Sequence, residues 1–142
     1  MQYDSETGDY FYLGFINRSS NDHVHYIWRI DYAGNLNWSK AYAGNGTYFY
    51  SVVDTLQYSA SNHELYYLLL INPHYIVRVN SSSGNYLGRY KINGNYLYGW
   101  HASKCRLSND GLAYFWNLPE SWSARYIMRF NTTSSQIDRT SI

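Results

Sequence analysis

One strand sequence is written three times, and its spacing limits the folds open to the chain. The copies are Tyr26-Ile27-Trp28-Arg29-Ile30-Asp31, Tyr75-Ile76-Val77-Arg78-Val79-Asn80 and Tyr126-Ile127-Met128-Arg129-Phe130-Asn131. Each reads Tyr, Ile, apolar, Arg, apolar, Asp or Asn. Their tyrosines stand 49 and 51 residues apart in the 142-residue chain. A steady period near 50 is the mark of a repeat architecture, in which each unit is one supersecondary element that buries its apolar surface against its neighbours.

Around each copy the sequence predicts further strands. Gly8 to Ile16 is dense in β-favouring aromatics, Leu36 to Tyr42 alternates, and Tyr48 to Tyr58 is a long, bent stretch. Glu64 to Ile71, Tyr86 to Ile92 and Tyr96 to Leu107 repeat that order, and Leu112 to Leu118 with Gln136 to Ile142 begin it again. Turn signals separate them: residues 17 to 22, 32 to 35, 43 to 47, 81 to 85, 93 to 95 and 108 to 111 are rich in Asn, Asp, Gly and Ser. The opening strands are continuous apolar runs, which suits strands covered on both faces. The expectation is an all-β fold of the β-propeller type, one domain over residues 1–142. It has three four-stranded units at about 3–58, 59–107 and 108–142. The last unit is incomplete, so the array is open-ended.

Composition narrows the function classes. Charged residues make up 15% and aromatics 20%, with 18 Tyr and 5 Trp, a balance opposite to that of disorder. The net charge of +1 gives no electrostatic footprint for nucleic acid. Leu65 to Ile71, halted by Asn72-Pro73, is far shorter than the roughly 20 residues that span a bilayer. Cys105 is the only cysteine, so no intrachain disulfide forms. Residues 1–4 carry no basic segment leading into an apolar core, so a secreted reading assumes a longer precursor.

Asp31-x-x-Gly34-Asn35-x-x-Trp38-x-Lys40-x-Tyr42, following the strand from Tyr26 to Asp31, resembles a motif of extracellular β-propeller repeat proteins of the SBBP type. Unit two retains Gly84-Asn85 and Tyr90, and unit three retains Tyr126 to Asn131. The resemblance implies a propeller on a secreted or surface protein and implies no activity.

Five N-glycosylation sequons begin at Asn17, Asn37, Asn45, Asn80 and Asn131, against about two expected by chance. Asn80 and Asn131 occupy the place of Asp31, where an Asx side chain starts a turn, so their sequons also have a purely structural origin. Arg29, Arg78 and Arg129 recur at one repeat position. Alternation puts each on the same face as the Asp or Asn two residues on, which predicts a repeated Arg–Asx link. His23 and His25 share a strand face, but no third ligand of matching spacing accompanies them, so no metal or other cofactor is expected. The tryptophans Trp28, Trp38, Trp100, Trp116 and Trp122 suit blade packing better than sugar stacking.

Three readings follow. The first is a non-catalytic extracellular module, N-glycosylated and associating with itself or other proteins through exposed strand edges, as in a fibre. The second is a lectin-like propeller. The third is a fragment of a propeller enzyme whose catalytic groups lie outside these residues.

Overall fold

The computed structural model describes residues 1–19, 22–45, 50–51, 56–70, 74–92, 105–107, 112–117, 126–132, 134 and 136–141. These residues form thirteen strands, all paired antiparallel, in three successive sheets. The first sheet is β1 (Gln2–Tyr3), β2 (Tyr10–Ser19), β3 (Asp22–Ile30) and β4 (Leu36–Asn45), in that order across the sheet. In the second, β7 (Glu64–Leu70), β8 (His74–Asn80) and β9 (Tyr86–Ile92) lie side by side. Two short segments, β5 (Tyr50–Ser51) and β6 (Gln57–Ser59), share the outer edge of β7. The third sheet is β10 (Cys105–Leu107), β11 (Leu112–Asn117), β12 (Tyr126–Asn131) and β13 (Ile137–Ser141).

The repeated strand sits in the same place each time, as the third strand of its sheet. It pairs with the strand before it in matching register: Phe11 opposite Arg29, Tyr66 opposite Arg78, Tyr114 opposite Arg129. In the first two sheets the register with the following strand slips one residue beyond the arginine, leaving Asn37 and Leu87 as the extra residues. Such bulges increase the local twist.

The grouping of strands differs from the sequence expectation. The stretch expected to finish unit one supplies β5 and β6, which pair with β7, and Cys105–Leu107 opens the third sheet. Gln2–Tyr3 opens the first, so the described strands form three sheets of four strand positions each, including the last. The cause is local. A period fixes the length of a unit and not its phase, and an edge strand pairs with whichever neighbour a tight connection brings back. Ala60 to His63 is such a connection: the His63 amide donates to the Ala60 carbonyl at 3.3 Å, and His63 has φ of 52°. Strands β2 and β4 also run on to Ser19 and Asn45, into stretches expected to be turns.

The sheets stack. Because side chains alternate, each sheet has an arginine face and an opposite face. The arginine face of the first sheet contributes Phe11, Leu13 and Ile27 to a buried cluster. The opposite face of the second contributes Leu65, Tyr67, Leu69, Val77 and Val79 to the same cluster. The arginine face of the second sheet then meets the opposite face of the third. Tyr66 and Tyr90 pack on buried Phe130, with ring centroids 6.2 and 5.0 Å apart. Every residue from Glu64 to Leu69 is therefore buried, which explains why this strand lacks alternation.

Candidate functional site

The chemistry of the described residues is concentrated where the repeat arginines meet their partners. Arg29 Nε donates to Asp9 Oδ2, and its Nη1 donates at 3.2 Å to the carbonyl of Ser81 in the second sheet. Asp9 is buried and also accepts a hydrogen bond from Asn37 Nδ2 at 3.1 Å. Arg78 is held by Glu64, with Nε donating to Oε2 at 2.7 Å and Nη2 to Oε1. The Tyr66 hydroxyl donates to the same Oε2 at 2.7 Å, and Arg78 Nη1 donates to the Tyr90 hydroxyl. Asp9 and Glu64 occupy equivalent positions, and in the third sheet the register places Leu112 there, opposite Asn131.

The expected link between each arginine and the Asp or Asn two residues on is thus not formed by Arg29 or Arg78. Asp31, Asn80 and Asn131 are consumed by their own turns. Asp31 Oδ1 accepts from the amides of Ala33 and Asn35 at 2.9 and 2.8 Å. Asn80 Oδ1 accepts from the amides of Ser82 and Ser83 at 3.0 and 2.9 Å, and Asn131 Oδ1 from the amide of Ser134 at 2.9 Å. A side chain two to four residues from waiting backbone donors satisfies them at little entropic cost, leaving the arginines to acids across the strand. The sequence signal for the true partner was an acid at the start of the strand that precedes each of the first two repeats, Asp9 one residue before β2 and Glu64 the first residue of β7.

The motif Trp38-x-Lys40-x-Tyr42 also has a defined place. It faces the β8–β9 turn of the next sheet. Trp38 Nε1 donates to the Ser81 carbonyl at 3.1 Å, and the Tyr42 hydroxyl donates to the Gly84 carbonyl at 2.7 Å. Gly84, with φ of 70°, lies beneath Trp38 and Lys40. Tyr90 is not the counterpart of Tyr42: it pairs with Ile76 as Lys40 pairs with Ile27, so it holds the lysine position.

Of the sequons, Asn37 is exposed on the bulge, whereas Asn80 and Asn131 are half-buried at the ends of β8 and β12. Asn17 lies within β2 and Asn45 ends β4. His25 is buried and stacks on Tyr67 with centroids 5.7 Å apart. Trp28 is half-buried on the opposite face of the first sheet. Trp100 and Trp122 lie outside the described residues. Among the described residues no three His, Cys, Asp or Glu come together as metal ligands, and no helix is long and apolar enough to cross a membrane.

Burial works to raise the carboxyl of Glu64, but the bonds from Arg78 and Tyr66 outweigh it and hold the group below its usual 4.5. Asp4 is likewise held below 3.8 against its burial, by the amides of Glu6 and Thr7 and the hydroxyls of Thr7 and Tyr58. A carboxyl lowered by folding adds stability that is whole above its unfolded value and is lost as pH falls through the folded one. Urea midpoints are therefore expected to hold steady from neutrality to about pH 5 and to fall below about pH 4.5. Glu64→Gln is expected to flatten that fall. Burial also pushes the Tyr66 hydroxyl up to about 12, so it stays a neutral donor to Glu64 well above neutral pH.

No protein-family profile and no curated protein matches the sequence. Solved structures do. The chain superposes on cobalt-substituted apocarotenoid oxygenase of Synechocystis with a TM-score of 0.57 at 11% identity, covering 92% of this chain and 35% of that one. A chimera of that oxygenase with RPE65 gives 0.56 at 12% identity, with the same coverage of 92% and 35%. The fold is that of a β-propeller. At this identity the likeness carries the architecture, and this chain spans about 35% of the length of those structures, so it is a partial, open propeller.

The comparison corrects the first functional reading. A non-catalytic extracellular module was expected, yet the solved propellers that share this arrangement of sheets are oxygenases, so neither "non-catalytic" nor "extracellular structural" is supported. That reading rested on the lack of a catalytic signature within 142 residues. A propeller assembles its site from many blades, so three of them need not display one.

Proposed function

We propose that the chain is a three-blade portion of a catalytic β-propeller, and that the reaction to test for it is the one named in its structural neighbours, the oxygenation of an apocarotenoid. The observation that supports this is the superposition of 92% of the chain onto about a third of an apocarotenoid oxygenase. The described residues act as scaffold. Asp9–Arg29 and Glu64–Arg78 tie strands within a blade, and Trp38, Tyr42 and the Ser81–Gly84 turn tie one blade to the next. One neighbour is a cobalt-substituted form, which raises the question of a metal. The described residues do not fit one: His25, the buried imidazole, is stacked on Tyr67 and faces the second sheet. Groups that perform chemistry are assigned to the remaining blades of the ring.

The test is an assay of the native protein, isolated at its natural mass, against an apocarotenoid in air with a divalent metal supplied. Loss of visible absorbance above a protein-free control, with cleaved product in the chromatogram, is the expected result. A native protein that leaves a panel of apocarotenoids untouched overturns the proposed reaction.

A further inference from the structure

Strand β6 lies beside both β1 and β10, so the first strands of the three sheets gather together. The fourth strands, β4 and β9 among them, stand on the outside of the stack. Among the described residues nothing pairs with their far edges. Lys40 is the one charged residue of β4, and Arg89 and Lys91 are those of β9. Both strands thus hold cations and no acid, in a chain with 11 Lys and Arg against 10 Asp and Glu. The register places all three in one cleft. Lys40 pairs with Ile27, on the face of the first sheet that meets the second. Arg89 and Lys91 pair with Val77 and Tyr75, on the face of the second that meets the first. All three cations are exposed, and the described ion pairs, Asp9–Arg29 and Glu64–Arg78, use none of them. The aromatic rings beside them are already engaged. The Arg89 guanidinium lies over the Tyr75 ring, 4.3 Å from its centroid, Trp38 lies on Gly84, and the Tyr42 hydroxyl is bonded to the Gly84 carbonyl. What the cleft offers is cationic groups and the backbone of an edge strand. Both of its walls are in this chain, so blades added at either end of the stack leave it as it is.

We propose that this cleft receives an extended acidic segment of a partner protein. The segment pairs with the free edge of β9 over residues 88–92, beyond the bulge at Leu87. Alternate residues of a strand share a face, so acids two residues apart on the incoming segment come opposite Arg89 and Lys91, with Lys40 across the cleft. The unpaired amides and carbonyls of a strand edge match a polypeptide, and match neither a bilayer nor a nucleic acid. The cations also select a separate partner. Proteins blunt a sheet edge by covering it or by charging it. An edge covered by its own chain has no need of cations, so the cations mark β9 as open in the finished protein. Between two copies of this chain the same cations repel, which works against edge pairing of the protein with itself. The inference is independent of the oxygenase reaction.

The experiment is fluorescence anisotropy of the native protein, at its natural mass, with a labelled peptide that alternates glutamate and valine. Saturable binding is expected, weakening at least about tenfold as salt is raised to about 0.5 M. Lys40→Glu, and Arg89→Glu combined with Lys91→Glu, are each expected to weaken it more than about tenfold with an unchanged circular dichroism spectrum. Arg106→Glu reverses an exposed cation on β10, away from the cleft, and is expected to leave the affinity unchanged. Methylating alternate backbone amides of the peptide removes its ladder donors, keeps every charge and is expected to abolish binding. A native protein that does not bind the peptide overturns the inference, as it does if another part of its own chain fills the cleft. Equal losses from Arg106→Glu and the cleft variants overturn it, since they mark attraction by charge at large. A methylated peptide that binds as well as the plain one overturns it too. So do vesicles of phosphatidylcholine and phosphatidylserine, or an oligouridylate, that bind more tightly than the peptide and fail with the same variants. A protein without oxygenase activity that binds the peptide in this way sinks the proposed reaction and leaves the cleft standing.

Discussion

Arg78→Met is expected to destabilise the chain by about 3 kcal/mol, because it removes the partner and leaves the charge. Glu64 is 9% exposed and accepts from Arg78 Nε, Arg78 Nη2 and the Tyr66 hydroxyl. Without the guanidinium, a buried carboxylate retains one neutral donor and must either stay charged without a counter-ion or take up a proton. The damage reaches the next blade, since Tyr66 and Tyr90 are both bonded to this pair and both pack on Phe130. Adding Glu64→Gln to Arg78→Met is expected to recover most of the loss, because a neutral amide beside a methionine carries no uncompensated charge. Urea unfolding of the wild type, the two single variants and the double variant measures the coupling directly. A cost below about 1 kcal/mol for Arg78→Met would mean that water screens the pair and that packing alone joins these sheets.

The architecture was legible because the repeat carries it. Tyr-Ile-x-Arg-x-Asx marks the third strand of each sheet, and the unbroken apolar run Leu65 to Leu69 reports burial on both sides. What stayed hidden depends on contacts distant in sequence. Asp9 and Arg29 are 20 residues apart, and Trp38 and Ser81 are 43 apart, so no local pattern joins them. The nearer Asp31 misled because its spacing from Arg29 suits a shared face, while the amides of Ala33 and Asn35 reach it first. Strand phase stayed hidden for a related reason. Gln2–Tyr3 and Gln57–Ser59 are too short to show periodicity, and only the turns Asp4 to Asp9 and Ala60 to His63 fold them back. The Asp4 turn is closed by the amide of Gly8 on the Asp4 carbonyl at 2.8 Å and by Thr7 Oγ1 on Asp4 Oδ2 at 2.9 Å. The candidate site was the least legible part, since a propeller distributes its chemistry over blades that lie far apart in the chain.

Gly84→Ala and Gly34→Ala make the same change at equivalent turns and are expected to differ by about 2 kcal/mol. Both glycines have positive φ, 70° and 89°, so each alanine pays about 1 kcal/mol for a left-handed backbone. At Gly34 nothing else is nearby. At Gly84 the new Cβ would stand 2.7 Å from Lys40 Cγ and 2.9 Å from Trp38 Cε3. Trp38 cannot yield freely, because its Nε1 is bonded to the Ser81 carbonyl and its ring packs against the core near Phe11. Overpacking of this kind costs about 1–3 kcal/mol, which brings Gly84→Ala to about 3 in all. Urea midpoints at low protein concentration give both values, and equal losses would show that the Trp38 contact adjusts without strain.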